Sequence, residues 1–381
     1  MLDTLPAELL TEVYRDACTD TGSTGRSLSL VSRYIRATSA PLKYQSLALF
    51  GRKQILEFAS RLDNLKLPPK TRWLYINGQE SQAELDQLKQ EVFVEYYAWE
   101  KQHREVWFED DQRDVSRQLY EMGKQTMDAI GRETADAVVA ILRRIAPTLE
   151  HLHIALNEHT RGQMGLAGSV CLPKLVDLTT CGGFPLNSVL TPNSSAALDG
   201  CPTLRSLHIV STRMEGLWLS QFFEAGAGIT GFAPYLTHLH LSGFCASERF
   251  ILDIAIGLGV NPIPLTGLAY APIHTTAIPT TVQSIALHPA PPLKVRREPG
   301  DEHEEMEISE AEGEDWVEHT MMLAVIRRLR QRDKRVVLLN MLEEDTVVGA
   351  NNYLDEWLHK ASGKPWVLNA SSIDNVPPED L

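Results

Sequence analysis

The sequence predicts an α/β fold, a small helical module followed by a stack of strand–helix units. Three observations predict it. Residues 2–49 carry leucines at helical spacing around a polar break. A frame of the form Ala/Cys-Pro-x-Leu-x-x-Leu-x-Leu then recurs along the chain. Segments between copies of the frame have helical periodicity.

The N-terminal module comes first. Thr4 stands where an N-cap is favoured, Pro6 falls near the first turn, and Glu8 suits the positive end of a helix. Leu9, Leu10 and Val13 then predict a short amphipathic helix from Pro6 to Ala17. Thr19 to Gly25 contains only Thr, Asp, Gly and Ser, which is loop chemistry. Leu28, Leu30, Val31, Tyr34 and Ile35 predict a further helix pair. So short a segment cannot bury all these leucines internally. It is either a structural cap on a larger domain or a docking module with a spare apolar face.

Leu5-Pro6-x-Glu8-Leu9-Leu10, Leu30-Val31-Ser32-Arg33 and Pro41-Leu42-x-Tyr44 closely resemble an F-box, in the looser variant common in fungal proteins. The resemblance assigns residues 1–46 to that module. It implies binding to the Skp adaptor of a cullin-RING ubiquitin ligase. By motif match the adaptor-contact candidates are Leu5, Pro6, Leu9, Leu10, Val13, Leu30, Val31 and Tyr34, some of which must pack inside the module instead. The Thr19–Gly25 loop departs from the family pattern, in which a shorter, aspartate-led link is frequent.

Residues 47–381 carry the repeat. Clear copies are Ala146-Pro147-x-Leu149-x-x-Leu152-x-Ile154, Cys201-Pro202-x-Leu204-x-x-Leu207-x-Ile209 and Ala233-Pro234-x-Leu236-x-x-Leu239-x-Leu241. Pro173, Leu175 and Leu178 make another. Looser copies lie at Tyr44/Leu47/Leu49, Leu74/Ile76, Val282/Ile285/Leu287 and Val336/Leu339/Met341. Central positions are thus 47, 74, 152, 178, 207, 239, 285 and 339. The shorter intervals match the period of a leucine-rich repeat, slightly stretched, and the longer ones demand insertions. Leu-x-Leu is a short strand with alternate residues inward. No unit can bury its apolar side alone, so copies should stack into a parallel-strand solenoid. The pattern resembles the irregular leucine-rich repeats that follow fungal F-boxes, without the regular Asn or Cys ladder. Cys171 and Cys201 are expected to be small buried residues in the slot that Ala146 and Ala233 fill.

Between the copies, Arg52–Leu62 and Glu133–Ile145 read as return helices, with Thr134 as the cap of the second. Residues 81–130 form a helical insertion. Ser81-Gln82-Ala83-Glu84 opens it as a capping box, and one or two helices follow over 81–125. It is either a structural excursion or a partner-binding arm carrying Phe93, Tyr96, Tyr97, Trp99, Trp107 and Phe108. Residues 289–315 read as a disordered insertion, with a proline-rich start, a basic Lys294-Arg296-Arg297 cluster and an acidic run. Trp316–Arg332 resumes as helix, Arg335–Met341 as the last strand and Asn352–Lys360 as the last helix, with 367–381 as a tail.

Net charge is −14, from 50 acidic and 36 basic residues. That argues against nucleic acid as a partner. Glu298 to Asp315 alone holds ten acidic residues. Cysteines are five in number, at 18, 171, 181, 201 and 245, with no Cys-x-x-Cys, which argues against both a disulfide scaffold and a zinc knuckle. The start Met1-Leu2-Asp3 lacks a signal-peptide pattern, and an intracellular protein of cytoplasm or nucleus is expected. Phe250–Ile273 is the most apolar long window, but Asp253 and three prolines make it a poor membrane span.

Catalytic signatures are missing. There is no Gly-x-Ser-x-Gly elbow and no phosphate loop, and His303-Glu304 lacks the second histidine of a zinc protease helix. No cofactor is implied. Histidine alone is patterned. His151, His153, His208, His238, His240 and His288 fall on the x positions of the strand frame, with Trp73 and Tyr75. These are the candidate substrate-binding residues on the concave sheet face. They form either a recognition surface, pH-sensitive or metal-binding, or merely histidine tolerated on a half-exposed strand. Taken with the resemblance, they imply a non-enzymatic substrate receptor for an unknown protein target. The alternative is an interaction scaffold whose F-box works outside a ligase.

Overall fold

The computed structural model describes residues 5–65, 68–103, 110–164, 170–181, 201–211, 228–244, 248–261, 277–292, 304–341 and 352–363. Within them the recurrent frame builds one parallel sheet of eight strands, ordered in space as they are in sequence. The strands are β1 Ser46–Phe50, β2 Trp73–Gly78, β3 His151–Leu156, β4 Asp177–Cys181, β5 Ser206–Val210, β6 His238–Phe244, β7 Ser284–Pro289 and β8 Val336–Leu338. The fold is α/β, as expected.

Register follows the frame. Leu47, Leu74, Leu152, Leu178, Leu207, Leu239 and Ile285 pair in one continuous row across β1 to β7. This row and the row two residues on (Leu49, Ile76, Ile154, Ile209, Leu241, Leu287) point into the main core. The Pro-x-Leu part of the frame is a turn. The amides of Leu175, Leu204, Leu236 and Val282 donate to the carbonyls of Leu172, Cys201, Ala233 and Pro279, three residues back. Proline suits the second position of such a turn. The residue before it is buried, as Ala146, Cys201 and Ala233 show. In the β4 unit that slot belongs to Leu172, and Cys171 is exposed, contrary to expectation. The proline there follows Leu172, so Cys171 lies one step outside the turn.

The last unit departs in register. Val336, not Leu339, pairs with Ile285. Val336 does end a turn, its amide donating to the Asp333 carbonyl. The Asp333 side chain also holds the Arg335 amide and guanidinium. Val336 therefore both ends the turn and stands in the paired row, whereas in the other units two residues separate the turn from that row.

Helices pack on the leucine side of the sheet and, at one place, on the opposite face. After α1 Ala7–Ala17, α2 Ser23–Val31 and α3 Arg33–Ser39 come α4 Gly51–Asp63, α5 Gln82–Val92, α6 Val94–His103, α7 Asp110–Ile145, α8 Glu158–Met164, α9 Ile229–Phe232, α10 Glu248–Gly257, α11 Glu304–Arg332 and α12 Asn352–Ala361. Ile55, Phe58 and Leu62 of α4, Val138, Ile141, Leu142 and Ile145 of α7, Phe250, Ile251 and Ile254 of α10 and Met322, Val325, Ile326 and Leu329 of α11 join the core. The capping box at Ser81 and Glu84 is present and starts α5. The expected insertion helix and return helix are one, however. The 36-residue α7, about 54 Å long, runs through both. Thr134 is not a cap, because its hydroxyl donates to the Ile130 carbonyl one turn back within α7. Gly131 lets α7 meet the backbone of His159, which a side chain there would strike at 2.7 Å. Of the disordered insertion expected over 289–315, residues 293–303 lie outside the described residues; Pro289 belongs to β7 and Glu304 onward to α11, which corrects both ends. Glu, Met and Ala, which favour helix, dominate that start.

At the other end the N-terminal module closes the sheet edge. The Gln45 amide side chain donates to the carbonyls of Arg15 and Cys18, and the Ser46 hydroxyl to that of Asp20. The Ala48 amide of β1 donates to the Thr21 carbonyl, and that of Phe50 to the Gln54 side chain. Among the described residues no helix is long and apolar enough to cross a membrane. Thr4, Trp107, Phe108, Cys245, the Lys294-Arg296-Arg297 cluster and residues 367–381 lie outside the described residues.

Candidate docking sites

The N-terminal module holds the first candidate site. On α1, Leu10 and Tyr14 face inward one turn apart, and Leu9 and Val13 face outward. Leu10, Tyr14, Ile35 and Leu42 form a small core of their own, with Leu28 against it. Ser32 separates α2 from α3 and caps α3, accepting from the Ile35 amide. The loop expected over Thr19–Gly25 is shorter, because α2 begins at Ser23. The Asp20 carboxylate accepts from the amides of Gly22 and Thr24 and from the hydroxyls of Ser23 and Thr24. These bonds hold it below the usual carboxylate range, although burial opposes them. Gly22 supplies the left-handed turn (φ 93°) that starts the helix.

The structure thus divides the adaptor-contact candidates. Leu10 is fully buried. Leu9, Val13, Leu30 and Val31 are 54–78% exposed, and Leu5, Pro6 and Tyr34 also reach the surface. Burying Leu10 while the others stay out follows from helical spacing: only one face of α1 can meet α3. The Tyr34 hydroxyl donates to the Leu5 carbonyl at 2.9 Å, tying α3 to the start of α1.

The second candidate site is the sheet face opposite the leucine rows. Alternation along each strand puts Trp73, Tyr75, His151, His153, His208, His238, His240 and His288 there. Their rings stack across strands in two ladders. Trp73 meets His151 at 6.0 Å and Tyr75 meets His153 at 4.4 Å. His208 stacks on His240 at 3.9 Å, and His240 on His288 at 5.9 Å. Cross-strand register at 151/73, 153/75 and 208/240 makes the stacking possible.

This face is not the half-exposed surface expected. Trp73, Tyr75, His153, His208 and His240 are buried, His151 and His288 are half-buried, and only His238 is exposed. The cover is α12. Trp357 and Ala361 pack with Trp73 and Tyr75. Tyr353 packs against Ala155, Cys181 and Val210, and its ring lies 5.9 Å from that of His153 and 5.6 Å from that of His208. The Tyr353 hydroxyl is hydrogen-bonded to Ser242, which is itself 2.7 Å from His208 Nε2. Lys360 donates to Asp177 at 3.2 Å and sits 3.3 Å from Glu356. The sequence signal for this was the aromatic spacing Tyr353-x-x-x-Trp357, which the strand-by-strand reading had no reason to place on the sheet.

Burial sets the charge state of the face. Desolvation lowers His153 and His240 to about 3 and His288 to about 4, with neighbouring histidines and Lys360 adding to the effect at several positions. His208 is likewise pushed well below its ordinary value, first by burial and then by His240. The ladder is therefore neutral, which is what allows two imidazoles to stack at van der Waals distance. His208 Nδ1 lies 3.8 Å from Glu356, and because the ring is neutral the contact is not an ion pair. For Lys360 burial lowers the ammonium's affinity for its proton, and Asp177 and Glu356 more than offset this and hold it charged. Among the described residues no three His, Cys, Asp or Glu side chains converge to hold a metal ion. What the face offers chemically is a flat aromatic floor with one carboxylate, Asp177, at its middle strand.

Sequence reading missed another device. Thr148, Thr203 and Thr281, in or beside the x of Pro-x-Leu, donate their hydroxyls to carbonyls of the preceding unit, at Thr71, at Pro173 and Leu175, and at Pro234 and Leu236. Comparisons with protein-family models, with curated proteins and with solved structures each found no match.

Proposed function

We propose that the chain is the substrate-receptor subunit of an Skp–cullin–F-box ubiquitin ligase, with an F-box at 1–46 and an irregular leucine-rich-repeat solenoid beyond it. The observation that carries this reading is the outward set on the N-terminal module. Leu5, Leu9, Val13, Leu30, Val31 and Tyr34 match the motif's adaptor positions and are left outside a core the module completes without them. Apolar side chains held outward on three short helices suit a protein partner. The in-order parallel sheet, with its repeated turn, suits a solenoid. The receptor transfers no ubiquitin itself. It holds a target close to the charged conjugating enzyme, and acceleration comes from proximity.

Co-purification tests it. Full-length protein should capture the Skp adaptor, and Leu9→Asp with Leu30→Asp should reduce capture at least tenfold without lowering the unfolding temperature. Failure of the unmodified protein to capture the adaptor, or capture indifferent to both changes, overturns the ligase reading and leaves the free-standing scaffold.

A further inference from the structure

We propose that the histidine–aromatic face of the sheet is a receptor site for an amphipathic helix bearing two aromatic side chains one turn apart and a lysine one turn beyond, and that α12 is the chain's own occupant of it. The proposal takes the sheet to be the target-binding part of the receptor described above, and names the class of target segment.

The first ground is that α12 is an addition to the sheet and not part of its foundation. The leucine rows, α4, α7, α10 and α11 form one continuous core on the other side. The contacts of α12 form two small separate clusters, one around Trp73, Tyr75, Trp357 and Ala361 and one around Ala155, Cys181, Val210 and Tyr353. Lifting α12 leaves the main core intact.

The second ground is the way α12 is read. Tyr353, Trp357 and Lys360 stand at i, i+4 and i+7, one stripe of a helix. That stripe spans five successive strands. Trp357 meets β2, Tyr353 meets residues of β3, β4, β5 and β6, and Lys360 finds Asp177 on β4. A largely desolvated ammonium paired to Asp177 of the sheet, with Glu356 of its own helix beside it, adds little net stability but strongly penalises a mismatch. It fixes register and polarity, as a recognition site requires. Asp177, on the middle strand β4, is also the acid of an otherwise neutral floor, so a lysine, and not an acid, is the charge the face selects.

The third ground is that the fit is incomplete. Among the described residues Trp73 Nε1, His153 Nε2 and Trp357 Nε1 are buried without a hydrogen-bond partner. Each unmet group is a desolvation cost that the bound helix does not recover. A foreign helix that met one of them would gain what α12 forgoes, and could displace it despite the advantage of tethering, which is worth an effective concentration of about millimolar.

The test uses a fluorescent synthetic peptide of residues 350–363 and fluorescence anisotropy. Full-length protein with Tyr353→Ala and Trp357→Ala should bind the peptide at least tenfold more tightly than the unmodified protein does. Adding Asp177→Lys to that variant should cut binding tenfold or more, and a peptide with Lys360→Glu should recover it. Lys360→Glu in the full-length protein opens the face without touching its aromatic residues, and serves if the double variant does not fold. No peptide binding to either opened variant, with its unfolding temperature near that of the unmodified protein, overturns the receptor site. Binding indifferent to Asp177→Lys overturns the lysine requirement. A concentration-dependent dimer of the unmodified protein that Trp357→Ala abolishes overturns the assignment of α12 to its own chain. Adaptor capture, measured on the same variants, is independent of all these outcomes: its loss counts against the ligase reading alone.

Discussion

Leu9 and Leu10 are adjacent in sequence and opposite in surroundings. Leu10 is 0% exposed within the small core of α1 and α3, and Leu9 is 55% exposed. Leu10→Ala should therefore cost about 2–5 kcal/mol in denaturant unfolding, whereas Leu9→Ala should stay within about 0.5 kcal/mol. Equal effects would mean that the module's core is not where Leu10, Tyr14, Ile35 and Leu42 place it. The sequence shows that α1 has two apolar edges. It does not show which edge turns inward, because Ile35 and Leu42, which decide that, are far along the chain. The same holds for the histidines. Their alternation assigned them to one face, but burial came from Tyr353 and Trp357, with the Lys360–Asp177 contact bridging 183 positions.

At the scale of the element, the repeat was legible because the frame combines two local rules, a proline turn and period-two alternation. Seven central positions pair as their spacing predicts. The eighth fails by three residues because Asp333 builds a turn without proline and drops the spacer, a substitution that hydrophobic pattern does not record. Thr134 shows the complementary limit: a residue type that caps helices also tolerates a helix interior when its hydroxyl bonds one turn back. The threonine stitches are a feature that spacing could have exposed, since Pro-Thr-Leu occurs at both 147–149 and 202–204. Thr203→Val keeps the shape and removes bonds to Pro173 and Leu175, so it should lower stability by about 1 kcal/mol, measured by denaturant unfolding. An unchanged midpoint would mean that the hydroxyl contributes nothing between units.

For the whole molecule, the neutral ladder makes stability depend on pH. His153, His208, His240 and His288 bind fewer protons folded than unfolded, because burial holds each below its ordinary value near 6.5. Their contribution is complete above that value and is lost progressively as pH falls from it towards about 3 to 4. Each ring steepens the fall by up to about 1.4 kcal/mol per pH unit. The charged groups facing them, Lys360, Asp177 and Glu356, do not reverse the sign, since Lys360 disfavours protonation and burial dominates. Unfolding free energy measured between pH 7 and 5 should be flat at the upper end and fall at the lower, and His240→Phe should make the fall shallower. A profile that stays flat to pH 5 would contradict the burial of these rings.

Two outward amides of β1, those of Ala48 and Phe50, are engaged, the first by the Thr21 carbonyl of the N-terminal module and the second by Gln54 of α4. An open first strand would template foreign strands and seed aggregation. Here the helical module is also a stopper. The sheet's first strand is met on its outer side by the module, so the module protects the sheet against self-association, and cutting the chain near residue 46 would remove that protection.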